Sequence, residues 1–468
     1  MRNESLRAGM TVDGFRLDEV IHRGSMAVLW SVTAEGAPEP LVMKVPRLRD
    51  FDDPAAIVGF EVEAMILPTL SGPHVPRFVR AGDLSLQPYI VMERIPGVSL
   101  RSRLDRVPLP YDEVASIGAH VATALHDLHG QRVIHLDVKP SNVMLRDDGE
   151  AVLIDYGLSR HDRLPDLLAE EFHLPIGTGP YISPEQVRQI RNDPRSDLFA
   201  LGVVLYLLST GERPFGNPTT VHGLRRRLYR DPRPPRALDP KYPDWLQEVV
   251  LKCLEVDPRD RYGTAAQLAF GLQHPEQIAL TARSRRRSRD GLGAVARRYL
   301  RTLGTEPDRR QSAEGQLARA PILVAAIDLT QRSEALNDAM RAAAQDLVGA
   351  APGARLACLT VLKTSRLGMD VHVDEEGHNL HLRRLVELQH WARPLRRPPD
   401  LITYHVLEAP DAGSAIVEFA SSNNADQILV GSRGSSTLRR YLGSVSSQVV
   451  AQAGCTVTVV KARPQADD

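Results

Sequence analysis

The run His135-Leu136-Asp137-Val138-Lys139-Pro140-Ser141-Asn142 and, downstream of it, Asp155-Tyr156-Gly157 hold the residue types that phosphoryl transfer asks of a protein. A transferred phosphoryl group undergoes little covalent chemistry with the protein itself. Such a site therefore needs an acid to orient an attacking hydroxyl, a cation on the phosphates and ligands for a metal ion. Asp137, Lys139, Asn142 and Asp155 supply those types.

Placing these groups falls to a chain of 468 residues, too long for one ordinary core, so two or three domains are expected. A hydrophobic content of 43% suits globular domains, and 58 Lys plus Arg balance 58 Asp plus Glu, so net charge gives no argument for nucleic acid or membrane as the main partner. Cys253, Cys358 and Cys455 are far apart and odd in number, which argues against a disulfide framework or a zinc cluster and fits a reducing cytoplasm. The opening Met1-Arg2-Asn3-Glu4-Ser5-Leu6 lacks an apolar signal core, and the longest apolar run, Leu198 to Leu208, is too short to span a bilayer, so a soluble cytoplasmic protein is expected.

Short β-like runs such as Leu41-Val42-Met43 and Tyr89-Ile90-Val91-Met92 come first, followed by helical patterns such as Val114 to Leu128, which predicts a small β-rich lobe before a helical lobe. After about Pro275 the composition shifts to a crowd of arginines at 283, 285, 286, 287 and 289, read as a linker or an exposed helix. From Pro321 onward, strand-like runs at Ile322 to Ile327, Arg355 to Leu362, Leu401 to Leu407, Gln427 to Val430 and Cys455 to Val460 alternate with helical stretches near Glu334 to Leu347 and Ala412 to Asn423. That alternation predicts a parallel α/β sheet. No repeat connects the two halves.

Residues 12 to 275 resemble bacterial-type serine/threonine protein kinases, with many motifs in the right order. The resemblance implies an α+β bilobal fold using ATP and Mg2+. It puts Lys44, closing Leu41-Val42-Met43-Lys44, on the α- and β-phosphates, with Glu63 as its helix partner. Alone, such a Lys and Glu would read as a surface ion pair. Met92 matches the gatekeeper, and Glu93 to Ile95 together with Met144 match the adenine site. Asp137 would orient the acceptor hydroxyl, Lys139 would neutralise γ-phosphate charge, and Asn142 and Asp155 would bind metal. The Asp-x-Lys-Pro-x-Asn spacing is the serine/threonine form. Thr178 is expected to contact Asp137 and Lys139, Glu185 to pair with Arg261, and Asp197 to brace the catalytic loop.

Three departures from the family pattern stand out. The glycine-rich loop carries His22, Gly24 and Ala27 where three glycines are usual, and His22 adds a bulky, titratable ring at the loop's edge. Nucleotide binding is expected to weaken, although the cationic and metal-binding groups are retained. Leu136 replaces the arginine that usually grips a phosphorylated activation loop. Between Asp155 and Glu185 the only hydroxyl residues of the serine and threonine types are Ser159, Thr178 and Ser183. Activity independent of activation-loop phosphorylation is therefore expected.

Residues 320 to 462 resemble the universal stress protein family. The carrying segment is Gly431-Ser432-Arg433-Gly434, then eight residues where nine are frequent, then Gly443-Ser444-Val445-Ser446. The resemblance implies an open α/β sheet in which Gly431, Arg433, Gly434, Gly443 and Ser444 surround a triphosphate and Asp328 lies beside the nucleoside. The plainer reading of such glycines is a tight strand-to-helix connection. No catalytic base accompanies them, so sensing or dimerisation through Thr456 to Val460 is favoured over hydrolysis.

The arginine-rich stretch, residues 276 to 319, reads as a solvated charge run, with Ser284 and Ser288 as candidate autophosphorylation sites. The whole chain thus reads as an ATP- and Mg2+-dependent kinase for protein hydroxyls with a nucleotide-binding stress domain and a possible homodimer. Two alternatives stay open: a pseudokinase scaffold whose second domain binds the ligand, and an adaptor for membranes or nucleic acid.

Overall fold

The computed structural model describes residues 6–24, 26–36, 39–47, 54–83, 87–172, 174–303, 321–330, 333–351, 353–364, 379–398, 401–432 and 443–461. The chain separates into two compact units, the first taking in residues 1–46 and 58–309, the second residues 310–468 together with 47–57.

The first unit opens with strands β1 (Thr11–Val12), β2 (Phe15–Arg23), β3 (Ala27–Thr33), β4 (Leu41–Pro46), β5 (Phe78–Ala81) and β6 (Ile90–Glu93), joined in a six-stranded sheet of order β1-β2-β3-β4-β6-β5. In β4 the period of two sends Leu41, Met43 and Val45 into one apolar cluster with Leu17, Trp30 and Val91. Val42 and Lys44 consequently face the other side. There Val42 packs against the main core, which also takes in Val58, Phe60, Val62 and Ile66 of helix α1 (Pro54–Ile66).

A helical lobe follows strand β7 (Val98–Ser99), built on α2 (Tyr111–Gly130). The buried positions Val114, Ile117, Val121, Leu125 and Leu128 of α2 recur at helical spacing. A two-stranded and a three-stranded sheet carry the loops that hold the Asp137 and Asp155 motifs. β8 (Val133–Ile134) precedes the catalytic run and pairs with β11 (Arg160–His161), while β9 (Val143–Leu145) and β10 (Ala151–Leu153) form a hairpin whose exit is Ile154-Asp155. The three-stranded sheet has the order β10-β9-β7. Then come α3 (Leu167–Glu171), α4 (Pro184–Val187), α5 (Arg195–Thr210), α6 (Val221–Arg225), α7 (Asp244–Cys253), α8 (Ala265–Gln273) and α9 (Leu292–Leu303). α5 is buried nearly all round, as a helix apolar on every side must be. Among the described residues no helix is long and apolar enough to cross a membrane.

The stretch after α8 is only in part a solvated charge run over its described residues. Glu248 of α7, 2% exposed, accepts from the amides of Thr281 and Ser284 at 3.0 Å and from the Thr281 hydroxyl at 2.8 Å. Arg283 pairs with Glu255 at 2.6 Å, and Arg286 and Arg298 meet Asp231 at 2.8 and 2.7 Å. Acids from elsewhere in the fold thus pair with Arg283, Arg286 and Arg298, while Arg285, Arg287 and Arg289 are exposed. Ser284 is 1% exposed and donates to Thr281 O at 2.8 Å, so it is not presented as a phosphate acceptor. Ser288 is exposed.

The second unit is a parallel five-stranded sheet of order β14-β13-β12-β15-β16, from β12 (Ile322–Ala326), β13 (Arg355–Lys363), β14 (Ile402–Ala409), β15 (Gln427–Ser432) and β16 (Thr456–Lys461). Helices α10 (Glu334–Ala350) and α11 (Leu380–Ala392) share one apolar cluster with Leu323 and Ala325 of the sheet, while α12 (Ala412–Ser422) and α13 (Ser444–Gln452) share the other with Ile322 and Val324. β12 is accordingly apolar throughout, as a strand covered on both faces has to be. α11 is an element that the strand-and-helix reading of the sequence omits; Asn379 caps it, accepting from Leu382 N at 3.0 Å.

Candidate active site

Lys44 extends from β4 to the cleft side and meets two acids. Its Nζ pairs with Glu63 of α1, which is 1% exposed, and with Asp155 Oδ1 at 2.8 Å. Burial alone would lower the lysine's pKa, but the two carboxylates outweigh it and hold the ammonium above its ordinary value. The same ammonium pulls Asp155 down to about 2. Burial pushes Glu63 up, against the attraction of Lys44. Gly59 and Glu63 lie one turn apart on α1 and so share a face. A Cβ on Gly59 would stand 3.1 Å from Gly157 O, so the absence of side chains at 59 and 157 lets the helix approach the strand of Asp155 closely.

Asp155 has φ of 68° and Leu136 φ of 61°, both in the left-handed region that costs a residue with a side chain. The surroundings enforce both. Asp197, fully buried, accepts from Leu136 N at 2.8 Å, from His135 N at 2.9 Å and contacts His129 Nε2 at 2.9 Å. Leu136 O in turn accepts from Gln186 Nε2 at 2.9 Å. Tyr156 is fully buried, with its hydroxyl on Leu153 O at 2.9 Å and its ring 5.3 Å from that of His135.

Asp137, 5% exposed, is the hub of a second network. Its carboxylate accepts from Lys139 Nζ at 2.6 Å, Thr178 Oγ1 at 2.7 Å and Asn142 Nδ2 at 3.0 Å, and Lys139 also reaches Thr178 at 2.9 Å. Farther out, Arg261 forks onto Glu185 at 2.6 and 2.8 Å, and Ser196 donates to the same carboxylate at 2.7 Å. The structure therefore brings together Lys44 with Glu63 and Asp155, and Asp137 with Lys139, Asn142 and Thr178, as the sequence motifs anticipate.

The nucleotide-side residues are partly accounted for by packing. Met92 is 7% exposed and Ile95 8%, Glu93 takes Arg146 at 3.1 Å, and Met144 pairs in register with Ser99 of β7. In the glycine-rich loop Gly24 N bonds Ala27 O at 2.9 Å, and the exposed His22 ring lies beside Gly24. For a divalent cation, Asp155 offers a carboxylate whose side chain keeps 43% of its surface open, and Asn142 offers an amide oxygen. Such a donor set fits a hard ion held largely by phosphate oxygens and water.

In the second unit, Asp328 follows β12 and Gly431-Ser432 end β15, the two strands between which the strand order reverses. Ligands of open α/β sheets bind at the carboxyl ends of strands at such a point. Asp328 accepts from Thr330 N at 3.1 Å, and a Cβ on Gly431 would stand 3.2 Å from Leu336 of α10. Gly443 precedes Ser444, the first residue of α13. Arg433 and Gly434 lie outside the described residues.

Residues that motif reading passes over include Gly59, Gln186 and Arg227. The first has a visible signal, a glycine inside a helical run; the others gain their meaning from long-range contacts.

A protein kinase domain model matches residues 15–275, more than half of the chain, and a universal stress protein family model matches residues 320–461. The chain is 32% identical over 321 residues to a protein of Corynebacterium glutamicum named a probable serine/threonine-protein kinase PknB, covering 66% of this chain and 48% of that protein. It is 32% identical over 265 residues to serine/threonine-protein kinase PknB of Mycobacterium tuberculosis, covering 56% and 42% respectively. It thus spans less than half the length of these relatives. The solved kinase domain of Mycobacterium tuberculosis PknI aligns at 24% identity and a TM-score of 0.46, over 58% of this chain and all of that one.

Proposed function

Because this chain belongs to the protein kinase family, with a universal stress protein domain after the kinase domain, we propose that it transfers the γ-phosphoryl group of ATP to serine or threonine hydroxyls of proteins. The observation that carries the reading is the Asp137 hub, a buried carboxylate held by Lys139, Asn142 and Thr178 at 2.6 to 3.0 Å. In this reading the acceptor oxygen bonds to the γ-phosphorus as the bond to the departing ADP breaks, and the hydroxyl proton leaves towards Asp137. Lys139 offsets charge on the transferred group, and Lys44, held by Glu63, binds the α- and β-phosphates. Asp155 and Asn142 are the residues that would hold Mg2+, which would supply positive charge against the phosphates.

The reading extends to regulation. Ser159 donates to His135 O at 3.1 Å, Thr178 to Asp137, and Ser183 to Ser196 at 3.2 Å, so every serine and threonine between Asp155 and Glu185 is already engaged. Gln186 holds Leu136 where an arginine would need a phosphate. Activity should survive phosphatase treatment of the purified protein, and a collapse that rephosphorylation restores would refute this. For the second unit we propose nucleotide binding at the switch point beside Asp328, and pairing of two copies through β16, which is hydrogen-bonded to β15 on one side only among the described residues.

A further inference from the structure

Between Arg213 and Arg230 the sequence holds five arginines and His222, and no Asp or Glu. Such a run is ordinarily a solvated surface. Here one member ties it to the activation segment. Arg227 is 1% exposed and donates to the carbonyls of Gly179, at 2.7 Å, and of Ile182, with Leu224 O at 3.2 Å and the Phe215 ring 5.3 Å away. No carboxylate balances it among the described residues, and burial pulls its pKa down to about 10. Ile182, Val187 and Leu224 close an apolar cluster beside it, and a Cβ on Gly179 would stand 2.5 Å from Pro218 O.

The fixed segment adjoins the catalytic hub. Gly179 follows Thr178, which donates to Asp137, and Tyr181 N bonds Thr178 O at 2.9 Å. Burial lifts the Tyr181 phenol above its ordinary pKa, with Arg213 as its hydrogen-bond partner and Asp137 close enough to add to the shift. Arg213, His222, Arg225, Arg226 and Arg230 are exposed around this anchored stretch. Among the described residues none of Arg225, Arg226 and Arg230 has a carboxylate within ion-pair distance. The two flanking acids change little, since Asp231 is already paired with Arg286 and Arg298, leaving Glu212 beside Arg213.

We propose that this face selects protein substrates carrying acidic residues around the acceptor hydroxyl, read by Arg213, Arg225, Arg226 and Arg230, with Arg227 the positioning residue that fixes the face to the catalytic hub. This rests on the kinase reading and names its substrate class. Charge complementarity of this kind governs specificity and encounter more than raw affinity.

The test uses the full chain and three peptides, each with one threonine, flanked by Asp and Glu, by Ala, or by Lys and Arg. Binding is followed by fluorescence anisotropy without ATP, and transfer with γ-labelled ATP. The acidic peptide should exceed the neutral one by roughly tenfold in kcat/KM, because exposed charge pairs each contribute little and several must act together. Arg225→Glu/Arg226→Glu/Arg230→Glu, all exposed and compatible with folding, should raise KM for the acidic peptide and reverse the preference, with KM for ATP unchanged. Equal handling of the three peptides, a preference for the basic one, or native preference in the charge-reversed variant would overturn the proposal. So would a single-stranded oligonucleotide of matched charge that binds as tightly as the acidic peptide and loses affinity equally in the variant. Charge-dependent binding without any transfer would instead sink the phosphotransferase reading while upholding the docking face.

Discussion

The cleft of the first unit and the strand ends of the second both bring glycines and hydroxyls to a place where a nucleotide could lie, but they differ in what holds them there. In the cleft, Lys44, Glu63 and Asp155 come from β4, α1 and the exit of β10, and each is the partner of another. At the switch point, Asp328 bonds Thr330, two residues on, and Gly431 is small where Leu336 packs against it. Charges that must stabilise a transition state have to be fixed before the substrate arrives, and burial makes each of them costly unless its partner is present. A site that only binds can rely on strand ends and a helix N-terminus. The cleft of the first unit thus interlocks charges drawn from separate elements.

The largest expected effect on this contrast is in stability. Arg261→Ala leaves Glu185 buried without its fork and removes the guanidinium 5.0 Å from Phe199, which should cost the first unit about 3–5 kcal/mol in denaturant unfolding. The unfolding of the second unit should stay where it is; a joint shift would show that the two are not energetically separate. Thr281→Val removes a donor from buried Glu248 and should cost about 1–3 kcal/mol, again confined to the first unit.

Smaller changes sharpen the comparison at the glycines. By helix propensity alone Gly59→Ala would stabilise α1 by up to about 1 kcal/mol. Against Gly157 O at 3.1 Å it should instead displace the helix that carries Glu63 and lower kcat several-fold with little change in Tm. Native kcat would show that α1 yields freely. In the second unit Gly431→Ala, whose added carbon has the movable end of Leu336 as its nearest neighbour among the described residues, should leave ATP binding within about threefold, whereas Asp328→Asn should weaken it more; titration in a Lys44→Met background keeps the first site silent. The smallest effect is on acid stability. With Asp155 held at about 2, below the ordinary 3.8, its contribution is complete above about pH 5 and is lost as pH falls through 3.8 towards 2. Its exposure mutes the size. Asp155→Asn should flatten that part of the acid unfolding curve.

Much of the cleft is legible in sequence because Asp137, Lys139 and Asn142 are neighbours and Asp155 opens the next turn, so one strand-loop-strand unit carries most of the chemistry. The alternation of the second unit is legible for the same local reason. α11 is passed over although Leu382, Leu385, Leu388 and Trp391 recur at helical spacing and Asn379 stands at its start. Arg283 and Arg286 of the arginine-rich stretch are misread as solvated because their partners Glu248, Glu255 and Asp231 are supplied by the fold rather than by nearby sequence. The burial of Ser284 and of Arg227 has the same origin.

The central claim is that the two cleft networks make one phosphotransferase site. Its most direct test is transfer of phosphate from γ-labelled ATP with Mg2+, to the protein itself and to an added peptide, by the native chain and by Asp137→Asn and Lys44→Met. The account predicts incorporation by the native chain and a fall of about 10²-fold or more in each variant. Incorporation undiminished in both variants, or none by the native chain under any metal or peptide, would contradict it.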